Sequence, residues 1–223
     1  MLQLDSRLRR YLQLLYLDLA SYFNPVWWII DKKSKSILDL GCGDGKNILL
    51  LKKRIKEIMA VGVDIHDESL EKAKDKNCYI KLIRSDITKI KFKEKSFDCI
   101  ICLQVVEHLN KKDALKIIED LQRYARKQII ISTPIGELIQ GRVGTNIHQT
   151  HKSFFTAKYF QNMGFTVKSI GNRWLSSQEG IQSTDIHWLI KSMLLFVDVL
   201  FTPVYFIIPS LANHYFIAYK KYH

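Results

Sequence analysis

The sequence has no disulfide framework, no leader-like apolar core at its start and no uninterrupted apolar run long enough to cross a bilayer. Its four cysteines, Cys42, Cys78, Cys99 and Cys102, lack the regular spacing of a secreted scaffold. Cys99 and Cys102 lie three apart inside an apolar run, FDCIICLQV. In a strand, such positions face opposite sides, which excludes a redox pair or a shared metal there. The start, MLQLDSRLRR, carries an acid and only short apolar segments, so reduced thiols and a cytoplasmic chain are expected. Trp188–Ala212 is strongly apolar, but Lys191, Asp198, Pro203 and Pro209 interrupt it. A membrane span needs about 20 apolar residues, so two short helices fit this stretch better than one span.

Acidic residues are also in deficit. There are 22 Asp and Glu against 34 Lys and Arg, a formal net charge of +12. Such a surface favours anionic partners: nucleic acid, an anionic membrane or an anionic small molecule. The basic residues are scattered, with no dense block, which argues against nucleic acid. At 223 residues and 47% hydrophobic, the chain is long enough for one full core and too short for two large domains.

Residues 4–23 read as an amphipathic helix, with Leu4, Leu8, Tyr11, Leu15 and Leu19 at helical steps. Asn24-Pro25 ends it. From Ser36 the pattern alternates strand and helix. Strands are expected at 36–40, 59–63, 79–83, 97–103, 128–132 and 165–170. Helices are expected at 46–58, 67–76, 111–126 and 156–162. This alternation implies a parallel, doubly wound α/β sheet whose strand carboxyl ends share one ligand-binding edge. Three segments follow: a helical cap over 1–35, a core over 36–185, and an apolar helical segment with a final strand over 186–223.

The chemistry-bearing residues gather at that edge. Gly41, Gly43 and Gly45 follow the first strand and permit a tight turn with close backbone approach to a ligand. A dinucleotide fingerprint would need glycine where Lys46 stands, which disfavours a nicotinamide oxidoreductase. Asp64 ends the second strand, placed to accept both hydroxyls of a ribose. Asp86 follows the third strand, placed to accept an exocyclic amine.

The runs ILDLGCGDGKN, VGVDI, IRSDI and FDCIICLQVVEHL resemble the successive motifs of the class I S-adenosylmethionine (SAM)-dependent methyltransferases. The small-molecule branch that includes ubiquinone-pathway O-methyltransferases is the most similar. The resemblance covers about 36–170. It implies a mostly parallel seven-stranded Rossmann-like sheet, with Tyr215–Tyr219 as its antiparallel seventh strand. It implies SAM as cofactor, with the methionine part held by Asp39 and the backbone of Gly41, Cys42, Gly43 and Gly45. It gives Asp64 and Ile65 to the ribose and adenine, Asp86 and Ile87 to the adenine, and Leu103 and Gln104 to the border between sulfonium and acceptor.

Methyl transfer to a hydroxyl also needs a proton acceptor, and histidine suits neutral pH. His108, just past the fourth strand, and His148 and His151, in the loop after the fifth, are the candidates, with His151 preferred. No metal is expected, because the His and Cys residues lack ligand spacing along the chain. The polar-Pro-Pro-aromatic run of adenine-N6 enzymes is absent after the fourth strand, where Cys102-Leu103-Gln104-Val105 stands. The Pro-Cys nucleophile of cytosine-C5 enzymes is absent too. The expected function is methylation of an O or N atom of a small molecule, lipid-linked, isoprenoid or glycan-type. Residues 188–212 are expected either to pack on the sheet between strands six and seven or to serve as an apolar lid or interfacial anchor for an anionic membrane surface. The alternatives are an RNA-directed methyltransferase and a non-catalytic scaffold of the same fold; the oligomeric state is left open.

Overall fold

A computed structural model describes residues 24–137, 147–172, 175, 188–208 and 211–222. The helix expected over 4–23 lies outside them. The chain order is α1 (Pro25–Ile29), β1 (Ser36–Leu40), α2 (Lys46–Lys52), β2 (Met59–Asp64), α3 (Asp67–Asp75), β3 (Lys81–Arg84) and β4 (Phe97–Leu103). It continues with a 3-10 turn (Val106–His108), α4 (Lys111–Tyr124), β5 (Ala125–Pro134), a second 3-10 turn (Ile147–Gln149), α5 (Ala157–Asn162) and β6 (Thr166–Ile170). The chain closes with α6 (Trp188–Leu200), α7 (Thr202–Ile207) and β7 (Tyr215–Lys221).

The seven strands form one sheet in the order β3-β2-β1-β4-β5-β7-β6. β7 runs antiparallel to both β5 and β6, and the β1, β2, β3, β4 and β5 pairings are parallel. The order reverses between β1 and β4, so the carboxyl ends of those two strands open a crevice. Alternation along each central strand builds two cores. Leu38, Leu40, Ile100, Ile129 and Ile131 face one side, and Ile37, Cys99, Ile101, Ile130 and Ile217 the other. Cys99 and Cys102 therefore point to opposite faces, both buried and unpaired.

Two boundaries differ from the sequence expectation by three residues or more. α2 stops at Lys52 rather than near Ile58; Arg54 N–H and Ile55 N–H both close on the Leu51 carbonyl, the tighter i→i+3 bond of Arg54 ending the last turn. β5 begins at Ala125, directly on the last turn of α4, because Ala125 pairs with Phe97. α1 is locked to the sheet by the buried Gln128, which donates to the Ile29 carbonyl (2.9 Å) and accepts from Asp31 N–H (2.7 Å).

Candidate functional site

A cavity of about 860 Å³ runs along the carboxyl edge of the sheet. That is at the upper end of the range for small-molecule sites. Its wall passes from Asp64, Ile65, Asp86 and Ile87 at β2 and β3, through Gly41 and Gly43 at β1, to Leu103 and Gln104 at β4. Beyond β4 it reaches Ser132, Ile217 and Ile170.

The glycine turn is built for close approach. Gly41 and Cys42 both donate to the Val63 carbonyl (2.8 and 2.9 Å), which draws the turn onto β2. Gly41 has φ +75°, and a Cβ there would overlap the Val105 side chain. Gly43 has φ +51°, and a Cβ there would meet nothing within 4 Å. Its bare backbone thus borders open cavity, as a ligand lying against the turn requires. Asp64 Oδ2 accepts the Gly43 N–H (2.8 Å) and Oδ1 accepts the His66 N–H (2.9 Å). The β2 carboxylate therefore points at the glycine turn. Asp86 Oδ1 accepts from the Thr88 N–H (2.9 Å) and hydroxyl (2.8 Å). Burial alone would raise its pKa, but these two bonds and nearby positive charge hold the carboxyl below its usual range.

Two residues of the motif stand off the wall. Asp39 is 1% exposed, behind the turn, where its Oδ2 accepts the Tyr79 hydroxyl (2.7 Å). Burial pushes its carboxyl up to about 7; the Tyr79 bond opposes this and the field of Asp64 adds to it. Gly45, at φ +79°, packs against Tyr79 and Ala73 and starts α2. Asp39 and Gly45 shape the turn from behind, whereas Gly41, Cys42 and Gly43 border the cavity. Tyr79 carries no motif signal in the sequence.

Past β4, Gln104 adopts a left-handed φ of +55°, held by its N–H to the Ser132 carbonyl (2.9 Å) and its amide to the Ser132 hydroxyl (3.1 Å). Strained backbone of this kind persists where the surroundings over-determine it. It swings the chain into the 3-10 turn that carries Glu107 and His108. His108 and His148 both lie on the cavity wall. His151, preferred from sequence as the base, is absent from that wall; its ring packs against His108 with centroids 5.0 Å apart. Burial, and then the neighbouring His151, pushes the His108 imidazole down to about 4, so it is neutral at pH 7.

Glu107 is the residue the sequence reading undervalued. It is 2% exposed, and neither carboxylate oxygen has a hydrogen-bond partner. Burial pushes it up to about 8, offset only in part by the nearby backbone N–H groups and Thr133 hydroxyl, which lie close without meeting hydrogen-bond geometry. One donor atom from each of Glu107, His108 and His151 falls within 4.8 Å of the others. The expectation of no metal rested on spacing along the chain. In space these three form a carboxylate-imidazole set that could hold a divalent cation. The available signal was an acid beside His108 in an otherwise apolar run, VVEHL.

A family model described as "Methyltransferase domain" matches residues 37–128. The small RNA 2'-O-methyltransferase of Rattus norvegicus is 30% identical over 125 residues, covering 49% of this chain and 32% of that protein. The chain thus spans about a third of that relative's length. The ubiquinone biosynthesis O-methyltransferase of Rickettsia bellii is 24% identical over 191 residues, covering 74% of this chain and 78% of that one. Among solved structures, a SAM-dependent methyltransferase from Archaeoglobus fulgidus superposes with a TM-score of 0.60 at 17% identity, covering 92% of this chain and 94% of that one. Magnesium protoporphyrin IX methyltransferase from Synechocystis, with bound SAM, gives 0.52 at 14% identity, covering 100% and 87%. These structures agree in fold. The matched domain falls on the strands that carry the glycine turn, Asp64 and Asp86, and the chain is similar in these motifs and in fold to SAM-dependent methyltransferases.

Proposed function

We propose that this chain transfers the methyl group of SAM to a hydroxyl of a small acceptor of lipid-linked, isoprenoid or glycan type. The observation that carries this reading is the continuity of one cavity from the Gly43–Asp64 contact past His108, the member of the Glu107–His108–His151 cluster on its wall, to Asp198, Val199 and Thr202 of the C-terminal segment. SAM supplies an activated methyl on a sulfonium, so alignment and exclusion of water account for most of the rate.

The residues divide the work. The backbone of Gly41, Cys42 and Gly43 receives the amino-acid part of SAM. Asp64 and Ile65 receive the ribose and adenine, and Asp86 and Ile87 the adenine. Leu103 and Gln104 border the reacting centre. Neutral His108, on the wall and backed by His151, accepts the hydroxyl proton. The buried Glu107 also supports a second role for the cluster: Glu107, His108 and His151 would hold a divalent cation, which would supply Lewis-acid polarisation of the acceptor oxygen.

The C-terminal segment supports a membrane-surface site. Along α6 and into α7, Ile190, Met193, Val197, Leu200 and Phe201 are exposed at steps of three, four, three and one, which form one helical stripe. No helix among the described residues is long and apolar enough to cross a membrane. An exposed apolar stripe on a chain of net charge +12 suits the surface of an anionic bilayer.

The deciding experiment is calorimetric titration with SAM and S-adenosylhomocysteine, followed by transfer of tritiated methyl to a lipid extract and to total RNA. Label in the organic phase is expected. Label in RNA, with steep salt dependence, would favour the RNA-directed reading. Failure to bind either adenosyl compound would leave a non-catalytic scaffold.

A further inference from the structure

α6 carries an acid where an apolar helix should not. Asp198 is 8% exposed, in the run MLLFVDVLF. A carboxylate so buried is costly unless hydrogen bonds compensate it. Two do: the Tyr205 hydroxyl at 2.5 Å and the Asn172 N–H at 3.0 Å. Both fall on Oδ1. Among the described residues no hydrogen bond engages Oδ2, and no Lys or Arg pairs with it.

The surroundings of Oδ2 are arranged for access. Gly171, at φ +72°, stands beside it, and an added Cβ there would come within 3.5 Å of Oδ2. The Gly171 carbonyl receives the N–H groups of Asn213 (3.0 Å) and His214 (3.1 Å), fixing the entry to β7. Asp198, Gly171, Thr202, His214 and Tyr215 all border the cavity, at the end opposite Asp64. α6 is therefore inverted relative to an ordinary surface helix: its apolar stripe faces outward and its acid faces the cavity.

We infer that Asp198 is a specificity-determining residue for the acceptor, its free oxygen receiving a hydroxyl or ammonium group at the end of the cavity remote from the glycine turn. The inference rests on the reading that SAM and acceptor share this cavity. Tyr205 and the Asn172 N–H hold one oxygen, so the other is presented without freedom to rotate. A desolvated carboxylate binds hydrogen-bond donors and repels acceptor molecules that end in carboxylate or phosphate. The site therefore selects amphipathic molecules with a neutral or cationic donor head.

The test uses the full chain saturated with S-adenosylhomocysteine and three probes matched in size: 4-propylphenol, 4-propylbenzylamine and 4-propylbenzoate. Calorimetry is expected to show the phenol and the amine binding at least tenfold tighter than the benzoate. Asp198→Asn should abolish that ranking while leaving affinity for S-adenosylhomocysteine within twofold. Equal binding of the three probes by the wild-type chain would overturn the inference without any variant. So would retention of the ranking by Asp198→Asn. Absence of S-adenosylhomocysteine binding would instead remove the shared-cavity reading, and this inference with it.

Discussion

The imidazoles of His108 and His151 face one another at 5.0 Å although all of α4 and β5 lies between them in sequence. The contact is made by backbone. The Glu107 carbonyl accepts both the Lys152 N–H (2.7 Å) and the Ser153 N–H (3.1 Å), and the Ser153 hydroxyl donates to the Val106 carbonyl (3.2 Å). Lys111 then ties the Phe154 carbonyl from the start of α4 (2.8 Å). These bonds draw the segment after the second 3-10 turn onto the one that follows β4. The cluster is thus pre-assembled by backbone hydrogen bonds between these two segments.

The proposal that Glu107, His108 and His151 hold a divalent cation can be tested by measuring its binding directly. Manganese added to metal-free protein is expected to bind at one site by calorimetry. Glu107→Gln and His151→Ala should each weaken it at least tenfold, since each removes one of three donors. Chelation should lower methyl transfer and leave S-adenosylhomocysteine binding unchanged. If manganese does not bind the wild-type chain, the proton-acceptor role of His108 is the one that stands.

The two glycines of the turn predict different failures. Gly43→Ala meets no atom within 4 Å, so its cost is the left-handed backbone alone, about 1–2 kcal/mol. Gly41→Ala adds overlap with Val105, and overpacking contributes a further ~1–3 kcal/mol. Urea denaturation should therefore rank Gly41→Ala well below Gly43→Ala, with Val105→Ala recovering part of the difference. Both should lose S-adenosylhomocysteine binding, Gly43→Ala because its methyl enters the cavity. Equal stability of the two variants would contradict the contact with Val105.

Asp39 makes the fold pH-sensitive in a defined window. Its carboxyl rises from an unfolded value near 3.8 to about 7, chiefly through burial. Between those values the folded chain holds a proton that the unfolded chain has released. Stability from this group is therefore present at low pH, falls as pH rises through the window, and levels off above about 7. The slope approaches ~1.4 kcal/mol per pH unit. Asp39→Asn should flatten the profile, seen as a difference from wild type in urea midpoints from pH 4 to 8. Tyr79→Phe removes the hydrogen bond that favours the carboxylate and should extend the fall to higher pH.

Most of the sheet and its ligand edge were legible because they follow from local pattern. Alternating apolar runs gave six strands near their observed positions, and the glycines and Asp64 fell at strand ends that the topology brings together. The strand that breaks the parallel order, Tyr215–Lys221, was reached only through family resemblance. What stayed hidden depends on distant contacts. Nothing near Asp39 foretells that Tyr79 covers it and takes it off the cavity wall. The inward turn of Glu107 follows from Gln104 holding a left-handed backbone against Ser132. Asp198 read as an interruption of an apolar run, because its partners Tyr205 and Asn172 meet it only once α6 and α7 pack beside β6.

The apolar stripe of α6 carries the last prediction. Met193 is 67% exposed, and Val197 and Phe201 stand on the same face. Withdrawing each such side chain from water into lipid contributes up to about 1.5–3 kcal/mol. Positive charge alone would give an association that salt dissolves; the stripe adds a component that salt does not screen. The wild-type chain should therefore sediment with vesicles of mixed phosphatidylcholine and phosphatidylglycerol and retain part of that binding in high salt. The triple variant Met193→Ser, Val197→Ser, Phe201→Ser should keep the salt-sensitive part, lose the remainder, and bind S-adenosylhomocysteine as before. Identical sedimentation of the triple variant and wild type at both salt concentrations would mean that α6 does not touch the bilayer, and the exposed stripe would then need a different apolar partner.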